Sequence, residues 1–113
     1  MTSFIFLYRG WGPPASAAAL RSEGRLWGAW FRQLTRDGHL LDRGFPLSRI
    51  GKLVKSPAKR AATTREKYAI GGYSIVSAKN LAHAIELTWK CPNFLTGGFV
   101  EVRPLLTGKA SAS

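Results

Sequence analysis

The chain has 113 residues, of which 45% are hydrophobic and 20% charged, and this composition indicates one globular domain and excludes a disordered chain. Its 17 basic and 6 acidic residues give a net charge of +11, which favours an anionic partner such as nucleic acid, phospholipid or an acidic metabolite. A single cysteine excludes an internal disulfide and a cysteine-rich metal site, and it is typical of a cytoplasmic protein.

The first predicted element is a strand at residues 4–8, which is apolar at every position. A strand of this kind is covered on both faces, and in so small a protein this indicates oligomerisation. The apolar run is too short for a signal peptide and far too short to cross a bilayer, so no membrane partner is predicted. Glycine and proline then predict a loop at residues 10–14.

A helix is predicted at residues 17–37, and Gly38 is suited to end it. Apolar residues recur with helical spacing and place three aromatic side chains on one face: Leu20, Trp27, Trp30, Phe31 and Leu34. Gly24 and Gly28 each weaken the helix by about 1 kcal/mol relative to alanine. Their lack of a side chain leaves room for a strand or a ligand to approach closely.

The middle of the chain, residues 39–69, predicts short strands and an exposed basic loop. Leu40-Leu41 with Phe45-Pro46-Leu47 favours a second strand, in which Pro46 requires an edge or a bulge. Residues 50–54 are predicted to continue this strand, and residues 61–64 suit a third. Segment 43–67 contains a single acidic residue, Glu66, and eight basic residues: Arg43, Arg49, Lys52, Lys55, Lys59, Arg60, Arg65 and Lys67.

The last third predicts a strand, a helix and a strand. The first strand includes Tyr73–Ser77, where positions on a more buried face alternate with positions on a more exposed face. Asn80 is a suitable N-cap for a helix whose apolar stripe comprises Leu81, Ala84, Ile85 and Trp89. Pro92 ends this helix, Gly97-Gly98 reverses the chain, and residues 99–103 alternate as the final strand.

These elements predict an α+β fold with a ferredoxin-like β-α-β-β-α-β order. Such a sheet carries both helices on one face. The other apolar face must be covered, most simply by a second copy of the chain, so a homodimer is predicted. We expect one domain over residues 1–106 and a frayed C-terminal tail at residues 107–113.

Several stretches occur in this order: FIFLYRG, FRQLTRDGHLL, GGYSIVSAKNLAHAIELTWKCP and GGFVEVRPL. Together they resemble the YCII-related family, in the branch often called the DGPF-domain proteins. The resemblance implies a ferredoxin-like domain that pairs into a dimeric α/β barrel. The Asp-Gly-Pro-Phe turn typical of the family is absent, and Arg60-Ala61-Ala62-Thr63 stands at its position. No functional residue is therefore carried over from that turn.

His39 and Asp42 are candidates for acid/base catalysis, because a carboxylate can orient an imidazole and raise its basicity. Residues three apart point to opposite faces of a strand, so a turn is needed to join them. The alternative is an exposed loop histidine. His83 is predicted to face solvent, and Cys91 is predicted to be a buried, inert thiol.

Arg9, Trp11 and Arg103 are candidates for ligand binding. The two arginines follow or end strands, where they can border a cleft between sheet and helices and hold a carboxylate or phosphate. Trp11 would then be an apolar lid over the cleft. The alternative is a pair of solvated charges at strand ends.

The basic segment offers a nucleic-acid-binding surface through Arg49, Lys52, Lys55, Lys59 and Arg60. Aromatic residues that could stack on single-stranded bases are nearly absent from it. The scattered histidines, cysteine and acids have no metal-ligand spacing, and no glycine-rich phosphate loop precedes a helix. No metal or cofactor is therefore predicted.

The leading hypothesis is a cytoplasmic homodimer whose sheet–helix cleft binds a small anionic molecule. If the protein is an enzyme, cofactor-free acid/base chemistry of the isomerase or lyase type is expected. The alternative is a non-catalytic module that binds nucleic acid or a protein partner through residues 43–67. A third hypothesis is a structural dimer without a ligand.

Overall fold

The computed structural model describes residues 1–10, 16–48, 50–64 and 69–106. The strands are β1 (Thr2–Arg9), β2 (Leu40–Asp42), β3 (Lys52–Leu53), β4 (Ala62–Thr63), β5 (Ile70–Ala78) and β6 (Phe99–Pro104). The helices are α1 (Ala17–Arg36), α2 (Leu81–Leu87) and a 3-10 helix (Pro92–Thr96). The predicted α+β class is confirmed, and the predicted tail lies outside the described residues.

The main sheet has the order β2-β5-β1-β6, and every neighbouring pair is antiparallel. With α1 between β1 and β2 and α2 between β5 and β6, this order is consistent with the predicted ferredoxin-like arrangement. Trp30 of α1 and Ala84 of α2 belong to one buried cluster with Phe4 and Phe6 of β1. Both α-helices therefore cover the same face of the sheet.

Strand β1 is central, and its side chains alternate between the two faces of the sheet. Phe4, Phe6 and Tyr8 are buried beneath the helices, whereas Ile5 and Leu7 are half-buried on the opposite side. We call this opposite side the open face. Ile5 lies beside Ile75 and Leu7 beside Tyr73 in the neighbouring strand, so the centre of the open face is apolar.

Helix α1 begins and ends where the sequence predicts. Ser16 is the N-cap, and its hydroxyl accepts a hydrogen bond from the backbone N–H of Ala19 at 3.0 Å. At the other end Gly38 adopts a left-handed φ of 77°, and the N–H of His39 donates to the Leu34 carbonyl at 2.8 Å. The helix buries Trp30, Phe31 and Leu34, as expected of its aromatic face.

Helix α2 is rotated and shorter relative to the prediction. Ala84 is buried, but Ile85 is 44% exposed and Trp89 is 70% exposed, so the predicted stripe is not the buried face. The Trp30 indole N–H of α1 donates to the Leu87 carbonyl at 3.2 Å and so joins α1 to the end of α2, and Trp89 lies beyond that end. His83, which was predicted to face solvent, is half-buried, and its ring lies edge-on against His39 with centroids 5.1 Å apart.

The second strand lies at the edge of the sheet, as predicted from Pro46, which has no N–H for a strand on its other side. Pro46 itself forms an isolated bridge with Gly72. The prediction that residues 50–54 continue this strand is wrong. Leu47 already pairs with Gly71 at the start of β5, so later residues run past the end of that strand. They form a separate two-stranded ribbon, β3 with β4, which we call the ribbon (residues 50–64).

Within the described part of the chain, no helix combines the length and the apolar character that a membrane span requires.

Candidate functional site

A cavity of about 360 Å³ lies between α1 and the end of the sheet where β1 finishes and β5 begins. Tyr8, Trp27 and Phe31 form its aromatic wall. Residues 43–46 and the glycine pair Gly71-Gly72 line the opposite side. We call this cavity the cleft.

The cleft exists because only the second half of α1 packs tightly on the sheet. Leu20, Gly24, Trp27 and Phe31 are spaced by four, three and four residues and share one helix face. Phe31 is buried, whereas Leu20 is 58% exposed. No described atom lies within 4 Å of a Cβ placed on Gly24, so the missing side chain leaves the cleft open, as the sequence indicated.

The loop after β2 is held against β5 by a glycine. Gly44 has a left-handed φ of 73°, and a Cβ there would overlap the carbonyl oxygen of Tyr73. The Asp42 carboxylate accepts a hydrogen bond from the Gly44 N–H at 2.8 Å. These two contacts fix the path of the chain that carries Arg43 and Phe45 to the cleft.

A buried hydrogen-bond chain also anchors this loop. The Tyr8 hydroxyl donates to Ser74 Oγ at 2.9 Å, and Ser74 Oγ donates to the Arg43 carbonyl at 2.6 Å. Burial raises the pKa of Tyr8 well above its ordinary value, so the phenol stays protonated and remains a donor. Tyr8 therefore positions the cleft and has no role as a base at neutral pH.

Two opposite charges line the cleft, whose other lining residues are mostly apolar. The Arg43 guanidinium lies over the ring of Phe31, 4.6 Å from its centroid. Glu23 is half-buried on α1. Among the described residues neither side chain forms an ion pair, with the other or with a third group. The cleft therefore offers a ligand one cationic and one anionic contact.

The arginines predicted to hold a ligand lie elsewhere. Arg9 Nε lies 2.7 Å and Arg103 Nε 3.5 Å from the carboxylate of Glu101, so the two side chains converge as a pair on an acid of this chain. Glu101 lies opposite Leu7 in the neighbouring strand and so is on the open face, not in the cleft. Trp11, the predicted lid, lies outside the described residues.

His39 and Asp42 are not brought together. His39 Nδ1 lies 3.0 Å from the Ser77 carbonyl oxygen, and because a carbonyl oxygen can only accept, Nδ1 carries the proton and donates. The Asp42 carboxylate instead accepts from the Gly44 N–H. Ser77 is five residues along β5 from Gly72, roughly 16 Å at the usual rise per residue. His39 therefore lies at the far end of the sheet from the cleft.

Cys91 is 2% exposed, as the prediction of a buried thiol requires. Burial raises the pKa of this thiol to about 12. The side chain is therefore protonated at neutral pH and unsuited to nucleophilic attack. No group of three histidine, cysteine or acidic side chains in the described part of the chain is arranged to hold a metal ion.

The basic residues of the alternative hypothesis are exposed on the ribbon. They are Lys52 in β3 and Lys55, Lys59 and Arg60 in the connection between β3 and β4. Lys52 Nζ donates to the Thr63 hydroxyl at 2.8 Å across the ribbon. Arg49 lies outside the described residues.

Trp27, Arg43 and Glu23 were not predicted from the sequence as site residues. One signal for the cleft was present, since Gly24 interrupts the aromatic face of α1 where a core helix would carry a side chain. No sequence pattern distinguishes Arg43, because its position depends on the hydrogen bond between its backbone carbonyl and the hydroxyl of Ser74, 31 residues away.

No model of a known protein family matches the sequence, and no curated protein matches it significantly. The resemblance to the YCII-related family rests on the quoted motifs and stays a prediction.

Proposed function

We propose that this protein binds a small molecule with a flat apolar body and an acidic group in the cleft. The observation that carries the proposal is a formed cavity of about 360 Å³ with an aromatic wall and one guanidinium. This volume lies within the range of small-molecule sites, which are mostly apolar with a few placed polar groups. The net charge of +11 also attracts an anion to the protein.

We propose binding and assign no reaction. The described lining of the cleft contains no histidine, and Glu23 is its single carboxylate. Paired acid and base groups, which isomerase or lyase chemistry without a cofactor requires, are therefore not assembled there. His39 lies at the other end of the sheet, and the Asp42 carboxylate is engaged by the Gly44 N–H, so these two residues form no acid/base pair in the cleft.

Binding of 3-phenylpropionate tests the proposal, because its ring fits the aromatic wall and its carboxylate can meet Arg43. We expect saturable binding by titration calorimetry and a loss of about tenfold in affinity for Arg43→Gln, the value of one charge-assisted hydrogen bond. Arg36→Gln, an equal charge change at an exposed position of α1, should leave the affinity unchanged. Equal losses in the two variants, or no binding, would contradict the proposal.

We also propose that the open face pairs with a second copy, giving the dimeric α/β barrel that the YCII resemblance implies. The apolar centre formed by Ile5, Leu7 and Ile75 supports this, because an apolar sheet face of this kind needs cover. In analytical ultracentrifugation the protein should sediment as a dimer and Ile75→Lys as a monomer. Leu26→Lys, on the outer side of α1, should remain dimeric. A monomeric parent protein would exclude the dimer.

A second candidate function is binding of duplex nucleic acid by the ribbon. Its Lys52, Lys55, Lys59 and Arg60 are exposed, and residues 50–64 contain neither an acidic nor an aromatic residue. A two-stranded ribbon can enter the major groove, whereas single strands are usually held by stacking on aromatic side chains. The ribbon therefore favours phosphate contacts on a duplex over stacking on bases.

Salt dependence tests this second function. Four phosphate contacts give a slope of about −3.6 in a plot of log affinity against log salt. Replacing the four ribbon cations by glutamine should remove most of that slope. A control variant with Arg21, Arg25, Arg32 and Arg36 of α1 replaced by glutamine, which has the same net charge, should keep it. If both variants lose the slope equally, net charge alone explains the binding and the ribbon has no such function.

A further inference from the structure

We propose that the ligand of the cleft is amphoteric, with a cationic group for Glu23 as well as an acidic group for Arg43. The chemical class is an amino acid, or a similar ammonium carboxylate, with an aromatic side chain. The inference rests on the proposed function, because it names the ligand of the same site.

No basic residue of α1 lies at a position from which it could pair with Glu23. The residues three and four positions away on either side are Ala19, Leu20, Leu26 and Trp27, and none is charged. These are the positions at which helical ion pairs form. The nearest turns of α1 therefore leave the carboxylate facing the cleft without a helical partner, in a chain that has 17 basic residues.

Among the described residues Glu101, unlike Glu23, has two basic partners. Glu101 lies within ion-pair distance of both Arg9 and Arg103 on the open face. Glu23 lines the same cleft as Arg43, yet the two are not within ion-pair distance of each other. The space between them is where a ligand can place two charged groups.

Arg43 is exposed, and contacts within the protein hold it beside the cleft. Its backbone carbonyl accepts from Ser74, its guanidinium lies over Phe31, and the following Gly44 has no room to shift against Tyr73. The stacked guanidinium keeps N–H groups at its edge, which can donate to a carboxylate in a forked geometry. Pre-organised donors of this kind favour a planar anionic group.

The pair of charges discriminates among ligand classes. A ligand with an acidic group alone would bring its charge into apolar surroundings that also hold the Glu23 carboxylate. A neutral ligand would remove water from both charges and compensate neither. An amphoteric ligand pairs both charges, while its ring contacts the wall formed by Tyr8 and Trp27, whose own rings are 4.8 Å apart.

Three probes with one phenyl ring test the inference by titration calorimetry on the full chain. They are 3-phenylpropionate with an acid, 2-phenylethylamine with an amine, and phenylalanine with both. We expect phenylalanine to bind about tenfold or more tightly than either of the others. In Glu23→Gln this preference over 3-phenylpropionate should disappear, while 3-phenylpropionate itself binds as well as before or better.

Glu86→Gln, an equal change at an exposed position of α2, is the matched control and should keep the preference. If 3-phenylpropionate binds as tightly as phenylalanine to the parent protein, the amphoteric ligand is excluded and the cleft remains a site for acids. A preference that survives in Glu23→Gln also excludes it. If none of the three probes binds, the proposed function fails as well.

Discussion

Replacing Gly24 with leucine is expected to block the cleft without weakening the fold. No described atom lies within 4 Å of a Cβ at this position, and Gly24 shares a helix face with Trp27 and Phe31 of the aromatic wall. A leucine side chain therefore grows into the space that a ligand would occupy. We expect the affinity for phenylalanine or 3-phenylpropionate to fall by at least tenfold, measured by titration calorimetry.

The same variant should be more stable than the parent protein, because leucine favours a helix over glycine by up to about 1 kcal/mol. For a domain of this size that corresponds to a rise in melting temperature of about 4 °C. Gly28→Ala is the control. Alanine also favours a helix over glycine, and Gly28 does not line the cleft. A Cβ at this position lies 3.3 Å from the flexible end of the Arg32 side chain.

Stability and binding should therefore separate between the two variants. Both should melt at a higher temperature, and Gly24→Leu alone should lose the ligand. An unchanged affinity in Gly24→Leu would show that the ligand binds elsewhere. A lower melting temperature would show that the space beside Gly24 is already filled.

The order of elements could be predicted because its signals are local. Gly38 ends α1 by a left-handed turn that few other residues adopt, and Asn80 begins α2 by accepting the His83 N–H at 2.9 Å. The apolar run of β1 and the alternation around Ile75 need only the period of a strand. Each of these signals depends on residues within a few positions of one another.

The rotation of α2 and the cleft depend on contacts between distant residues. Trp30 and Leu87 are 57 positions apart, and their hydrogen bond joins α1 to the end of α2. Trp89 lies beyond that end and is exposed, although the helical spacing includes it in the apolar stripe. Arg43 reaches the cleft through Ser74 and Phe31. The sequence shows it as one of eight basic residues in a segment. No periodicity distinguishes it from the others.

The sequence predicts Arg9 and Arg103 at the border of a cleft, whereas the described lining of the cavity contains Arg43. A cleft between helices and sheet with an arginine beside it was expected, but the strand-end arginines were assigned to it. Arg9 and Arg103 alternate onto the open face, because Tyr8, between Arg9 and Leu7, points toward the helices. Because residues 4–8 are apolar at every position, the sequence does not show which of the two faces of β1 lies beneath the helices.

Gly44→Ala is expected to destabilise the protein by about 3 kcal/mol. A left-handed backbone accounts for about 1 to 2 kcal/mol of this, and the overlap of the new Cβ with the Tyr73 carbonyl adds a similar amount. Gly38→Ala separates the two causes. Gly38 has a φ of 77°, close to that of Gly44, but no described atom lies within 4 Å of its Cβ.

Gly38→Ala should therefore lower the free energy of unfolding by only about 1 to 2 kcal/mol, measured like Gly44→Ala by urea denaturation. In Gly44→Ala the loop must also move away from β5, which withdraws Arg43 and Phe45 from the cleft. The folded fraction of that variant should bind phenylalanine more weakly than Gly38→Ala does. Equal losses of stability would mean that the loop does not lie against β5. The cleft would then lose one wall and its guanidinium together.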